Sequence, residues 1–149
     1  MSGGRLLGLD YGSKTVGAAV SDPTGVAVRE LEIIRREDES RLRKTFRRIE
    51  ALTEELGVSA IVLGLPLNMD GTKGERALKT EAFGAALRRR TGLPVYYQDE
   101  RLTTVEAEEI MESKGIRRED FGEYVDMIAA AVILGDYLNQ HEGGADADR

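Results

Sequence analysis

A chain of 149 residues is long enough for one substantial hydrophobic core and too short for two ordinary domains. Hydrophobic residues at 41% and charged residues at 32% are the composition of a folding protein, while a formal net charge of −6 argues against whole-surface attraction to nucleic acid or anionic membrane. With no cysteine and a single histidine, His141, there is no disulfide framework and no thiolate metal site, and zinc chemistry and Ser-His or Cys-His nucleophile pairs lose their ligands and bases.

In chain order, residues 5 to 11 (RLLGLDY) and 15 to 21 (TVGAAVS) read as strands around the turn GSK, and residues 26 to 34 as a third. The DPTG between the second and third suits a type I turn. Leu42, Phe46, Ile49, Leu52 and Leu56 recur at spacings of three and four, which predicts an amphipathic helix over about 40 to 56, stopped by Gly57. The run VSAIVLGL, residues 58 to 65, is a strand of the kind buried on both faces of a parallel sheet. After the loop PLNMDGTKG, a helix is predicted over about 75 to 90, a fifth strand at GLPVYYQ, and two helices over about 104 to 114 and 122 to 139.

The order β-β-β-α-β-α-β-α-α makes an α/β fold with a mixed five-stranded sheet: an antiparallel meander, two parallel strands added by crossovers, and helices on both faces. Residues 1 to 140 are expected to form one domain and residues 141 to 149 a flexible acidic tail. No apolar run reaches the length of a membrane span, and the N-terminus lacks a signal peptide's apolar core, so a soluble cytoplasmic protein with no membrane partner is expected.

Three acids stand in apolar surroundings. Asp10 follows LLGL in the first strand, in line with Leu6 and Gly8, and reads equally as a site carboxylate or as the cap of the turn DYGSK. Asp126 is the only charged side chain of YVDMIAAAVILG, with no basic residue within a turn, and so needs a partner or a ligand. In QDERLTT, Asp99 and Glu100 point to opposite faces of an extended strand. Glu100 lies at the C-terminal end of a parallel strand, where α/β sheets place their ligands, and Thr103 with Glu106 fits a capping box. The loop after the fourth strand offers Asn68, Asp70 and Lys73 at the same edge. Oxygen-only ligands of this sort suit magnesium or manganese, and two such ions support phosphodiester hydrolysis. Basic clusters at Arg35 to Arg48, Arg88 to Arg90 and Arg117-Arg118 read individually as solvated faces.

The segments LGLDYGSKTVGAAVSD, IVLGLPLNMDGTKGERA, DERLTTVEAE and VDMIAAAVIL, in this order, resemble the YqgF (RuvX) family of Holliday junction resolvases, also described as pre-16S rRNA nucleases, of the ribonuclease H-like fold. The resemblance covers residues 5 to 139. It implies an acidic triad of Asp10, Glu100 and Asp126 that is catalytic and binds Mg2+ or Mn2+, two ions in all, and a nucleic-acid substrate: pre-16S rRNA, matured at its 5′ end, or branched DNA. Lys14, Lys73 and Arg101 are the expected phosphate contacts, Thr103 and Thr104 weaker ones, with Asn68 beside them. Two departures are visible: Lys14-Thr15 stands where relatives have Lys-Arg, and EDFGEYVD is more acidic than its counterparts. Both remove positive charge near the substrate path.

Two readings of other classes stand beside this one. GLDYGSKTVG also resembles the phosphate-binding hairpin of actin-like ATPases and sugar kinases, which pair two such domains where this chain has residues for one. A non-catalytic nucleic-acid-binding or assembly factor could retain the acids as structure. A homodimer making paired cuts and a monomer making one are both open at the level of sequence, and Asp99 is expected to be structural, pairing with Arg101.

Overall fold

The computed structural model describes residues 4–101 and 103–141, with the backbone alone at Thr104 and Glu123. Strands β1 (Arg5–Tyr11), β2 (Thr15–Ser21) and β3 (Val28–Arg35) are followed by α1 (Arg43–Leu56), β4 (Val58–Leu65), α2 (Glu75–Thr91), β5 (Val95–Asp99), α3 (Thr103–Ser113), a 3-10 turn at Arg118–Asp120 and α4 (Phe121–Gln140). The sheet order is β3-β2-β1-β4-β5, with β1-β2 and β2-β3 antiparallel and β1-β4 and β4-β5 parallel. The mixed five-stranded sheet expected from the element order is therefore present.

Three starts differ from the sequence reading: β5 begins at Val95 rather than at Gly92, which caps α2 in the left-handed conformation, and two others shift because an Asx side chain captures the backbone. Asp22 accepts the amides of Val26 (2.9 Å) and Ala27 (3.3 Å), which keeps both in the turn and starts β3 at Val28. Asp38 accepts the amide (3.0 Å) and hydroxyl (2.5 Å) of Ser40, so residues 36 to 42 form a loop and α1 starts at Arg43. The DPTG turn closes as expected, Gly25 N–H donating to Asp22 O at 3.0 Å. At the other end of α1, Gly57 adopts the left-handed conformation, φ 65°, that a helix stop requires.

The two sheet faces bury different helices. Leu7, Leu9 and Tyr11 of β1 and Ile61 and Leu63 of β4 pack with Phe46 and Ile49 of α1 and Phe83 and Leu87 of α2. On the opposite face, Val62 packs with Ile133, Leu134 and Tyr137 of α4. α3 does not cover the sheet; Ala107 and Met111 lie on Phe121, Ile128 and Val132 of α4. The apolar helix α4 is thus buried between the sheet and α3, which accounts for its near-continuous hydrophobicity. Among the described residues no helix is long and apolar enough to cross a membrane.

Candidate active site

The registers gather one edge of the sheet. Asp10 pairs with Gly17, Thr15 with Arg35 and Leu65 with Asp99, so the ends of β1, β3, β4 and β5 and the start of β2 lie side by side. Asp10 alternates with Gly8 onto the face covered by α4.

Two strand glycines make this crowding sterically feasible. A Cβ on Gly17 would lie 2.0 Å from the carbonyl oxygen of Asp126, so α4 touches β2 directly opposite Asp10. A Cβ on Gly64 would lie 2.8 Å from Glu100 Oε1 and 2.5 Å from Ile133 Cδ1. Glu100 therefore folds its carboxyl back over β4, although its backbone has left the strand. Its amide still donates to Leu65 O (3.1 Å), and its carbonyl accepts the amide of Thr103 (3.0 Å) at the start of α3.

Asp10 and Glu100 meet. Their side chains share a hydrogen bond, one proton being held between the two carboxyls. Burial pushes Glu100 up to about 9, and the neighbouring Asp10 charge pushes in the same direction. Burial also raises Asp10, to about 7, reinforced by the charge of Asp126. The pair holds a proton because two carboxylates this close cannot both ionise without a cation. Arg76, at the start of α2, is the cation whose field opposes both shifts. It also donates to Tyr11 O (3.3 Å) and is ion-paired with Glu39.

Asp126 is held differently. Its Oδ2 accepts the hydroxyl of Thr15 at 2.5 Å, which leaves Oδ1 free of that bond. Among the described residues, no three Asp, Glu, His or Cys side chains stand together in a group that could hold a metal ion. The structure thus brings Asp10 and Glu100 together and places Asp126 within their field, turned toward Thr15. The pair still suits a hard divalent cation: its donors are all oxygen, and its retained proton marks a concentration of negative charge.

The other residues expected at the site are distributed unevenly. Lys14 is exposed at the same edge, and its carbonyl accepts the amide of Arg36 (2.9 Å). Lys73 is turned to Glu81 at 2.6 Å, and Asn68 Nδ2 donates to Thr72 Oγ1 at 2.9 Å within its own loop. Arg101 donates to Asp99 Oδ2 (2.9 Å from Nε) and to Met69 O (3.0 Å), clamping the β4-α2 loop to the end of β5. Asp99 is accordingly held below its ordinary range, chiefly by Arg101. Thr103 is buried, and the side chain of Thr104 lies outside the described set. Glu106, expected to close a capping box with Thr103, makes its side-chain hydrogen bond to Asp136 of α4. Thr15, Gly17, Gly64 and Arg76 were not among the sequence candidates. A glycine inside a strand is the signal by which Gly17 and Gly64 could have been found.

A family model described as "RuvX: Holliday junction resolvase" matches residues 4–140. The chain belongs to the RuvX family. Membership places it among the nucleases, hydrolases of phosphodiester bonds. A protein of Agathobacter rectalis named "Putative pre-16S rRNA nuclease" is 56% identical over 135 residues, which cover 91% of this chain and 94% of that protein. One of the same name from Lachnospira eligens is 51% identical over 138 residues, covering 93% of this chain and 99% of that protein. The structure titled "T. thermophilus RuvC in complex with Holliday junction substrate" superposes with a TM-score of 0.58 at 18% identity, over 92% of this chain and 95% of that one. At that identity the likeness concerns the fold, and the fold is ribonuclease H-like.

Proposed function

We propose that this RuvX-family chain is a divalent-metal-dependent nuclease acting on structured nucleic acid, and that its substrate is the 5′ end of pre-16S rRNA. The observation that carries the reading is the proton-sharing pair of Asp10 and Glu100 at the C-terminal edge of the sheet, with Asp126 in its field. Asp10 and Glu100 would hold Mg2+ or Mn2+, with Asp126 contributing through the oxygen that Thr15 leaves free. Such ions supply an activated water and stabilise the leaving oxygen of the phosphodiester.

The chain's own residues prepare the site. Arg76 favours ionisation of the acid pair, Thr15 fixes Asp126, and Lys14 stands exposed at the edge, where a phosphate can reach it. The names of the two relatives support rRNA as the substrate, and the family description supports a four-way DNA junction as the second reading.

The test is cleavage of a 5′-extended pre-16S rRNA fragment and of a four-way junction, side by side, in magnesium and in EDTA. Magnesium-dependent cleavage of the RNA that Asp10→Asn abolishes is expected. Junction cleavage without RNA cleavage would favour the second reading, and unchanged activity in Asp10→Asn would remove the site assignment altogether.

A further inference from the structure

The β3-α1 loop begins at the same edge as the acids, because Thr15 pairs with Arg35. Arg36 is tied to that edge: its amide donates to Lys14 O (2.9 Å) and its Nη2 to Gly12 O (2.6 Å), two residues beyond Asp10. Its Nε and Nη1 are covered and have no hydrogen-bond partner among the described residues, a costly arrangement for a guanidinium. Both Arg36 and Arg76 lie over the ring of Tyr11, at 5.0 and 4.9 Å from its centroid. Tyr11 follows Asp10 and points to the opposite face, where it stacks on Phe83 at 4.0 Å, which in turn stacks on Phe46 at 5.2 Å.

Two cavities open from this point. One of about 470 Å³ is lined by Tyr11, Leu42, Phe46 and Phe83, with the ion pair of Lys79 and Glu39 beside them, and is otherwise mainly apolar. The other, of about 620 Å³, is lined by Arg35, Arg36, Arg41, Arg43 and Lys44. They share Ser40 and Leu42, so an aromatic cavity and a basic one adjoin at the β3-α1 loop. Arg41 is paired with Glu37 and Asp38, whereas Arg35, Arg36, Arg43 and Lys44 have no acidic partner among the described residues. Four cations without an acidic partner among the described residues, outnumbering Glu37 on the same wall, call for an anion. An aromatic-floored cavity beside them calls for a planar apolar group, and the two together are the chemistry of an unpaired nucleotide strand.

We infer that the groove made by the basic cavity of the β3-α1 loop and the aromatic cavity it adjoins at α2 binds a single-stranded segment of the nucleic acid, its phosphates on Arg35, Arg36, Arg43 and Lys44 and one unpaired base in the cavity over Tyr11, Phe46 and Phe83. The inference rests on the nuclease reading for its orientation: the strand leaves the acid pair across Tyr11 and enters the groove. A turn of the Arg36 guanidinium toward a phosphate would satisfy its two unmatched donors.

The test is binding without cleavage: fluorescence anisotropy of a short labelled single-stranded RNA in EDTA across a salt series. Arg43 and Lys44 are exposed, and Ala82 is exposed at the mouth of the aromatic half, so Arg43→Glu with Lys44→Glu, and Ala82→Phe, leave the core intact. The double variant is expected to raise Kd on the order of tenfold and to flatten the salt slope by about 1.4, the loss of two single-strand phosphate contacts. Ala82→Phe is expected to weaken the intact strand several-fold and to leave an RNA with abasic sites unaffected. Wild-type affinity and slope in the double variant would overturn the groove, and a charge effect with no effect of Ala82→Phe would overturn the seated base. A wild type that binds RNA but cleaves nothing in magnesium would count against the nuclease reading and not against the groove.

Discussion

Thr15 and Asp126 are 111 residues apart in sequence and joined by a 2.5 Å hydrogen bond, the hydroxyl donating to Oδ2. A position that the family resemblance reads as a lost positive charge is, in the fold, the anchor of an acid of the candidate site. Thr15→Val is expected to lower kcat by about 10-fold to 100-fold, the usual effect of removing the partner that orients a ligating group, with a stability change of only about 1 kcal/mol. Thr15→Ser should restore activity. Steady-state kinetics of the two variants checks this, and a serine variant as impaired as the valine would point to lost packing as the cause.

The close approach of α4 at Gly17 predicts a structural lesion. In Gly17→Ala the new methyl group would meet backbone, the Asp126 carbonyl at 2.0 Å, and backbone cannot step aside alone. Urea unfolding should show destabilisation of roughly 3 kcal/mol, at the upper end of overpacking costs.

Gly64→Ala should behave differently. Its methyl would meet Ile133 Cδ1 and Glu100 Oε1, the far ends of side chains that can rotate. A smaller stability loss, about 1 kcal/mol, is expected together with a large loss of activity, because Glu100 is pushed off its position over the sheet. Comparing unfolding midpoints and turnover for the two alanine variants separates the two roles.

The acid pair makes metal-free stability depend on pH with a definite sign. Asp10 and Glu100 have folded-state values raised to about 7 and about 9, above the ordinary 3.8 and 4.5. The native state therefore binds more protons than the unfolded chain between about pH 4 and pH 9, and stability falls as pH rises through that window. In EDTA the urea midpoint should drop from about pH 5 to about pH 9, and Asp10→Asn should flatten the curve and exceed wild type at the alkaline end by on the order of 2 kcal/mol. A midpoint that rises across this range would contradict the proton-sharing pair.

Arg76 should act on the same titration from the other side. Its charge lowers both acids, so Arg76→Gln is expected to move the carboxyl titrations of Asp10 and Glu100 to still higher pH in the metal-free protein. Carboxyl-carbon NMR reads the shift directly, and unmoved titrations would exclude Arg76 from the electrostatics of the site.

Element order was legible because each element carries a local signal: the three-and-four stripe of α1, the apolar run of β4, the Asp-Pro-Thr-Gly turn. Boundaries failed where one side chain, Asp22 or Asp38, competed for backbone amides. Asp10 and Asp126 stood out because a charge in an apolar run is costly, and that cost is visible without a fold; Glu100 stood out by its place at the end of a parallel strand and by the family resemblance. Their partners were not visible, since Thr15 and Arg76 reach the acids only through sheet register and the placement of α2. The partner of Lys73 was equally invisible. Sequence presents Lys73 as a free cation near the edge, while the fold gives it to Glu81; the expected pairing of Arg101 with Asp99 is present, and the fold adds its bond to Met69 O.

On the proposed function, the Asp10-Glu100 pair is a cation site holding a proton that the metal must displace. Calorimetric titration of Mn2+ at about pH 7.5 in buffers of different ionisation enthalpy measures the protons released on binding. The account predicts binding with release of close to one proton, both lost in Glu100→Gln. Binding to wild type without proton release, undiminished by Glu100→Gln, would contradict it.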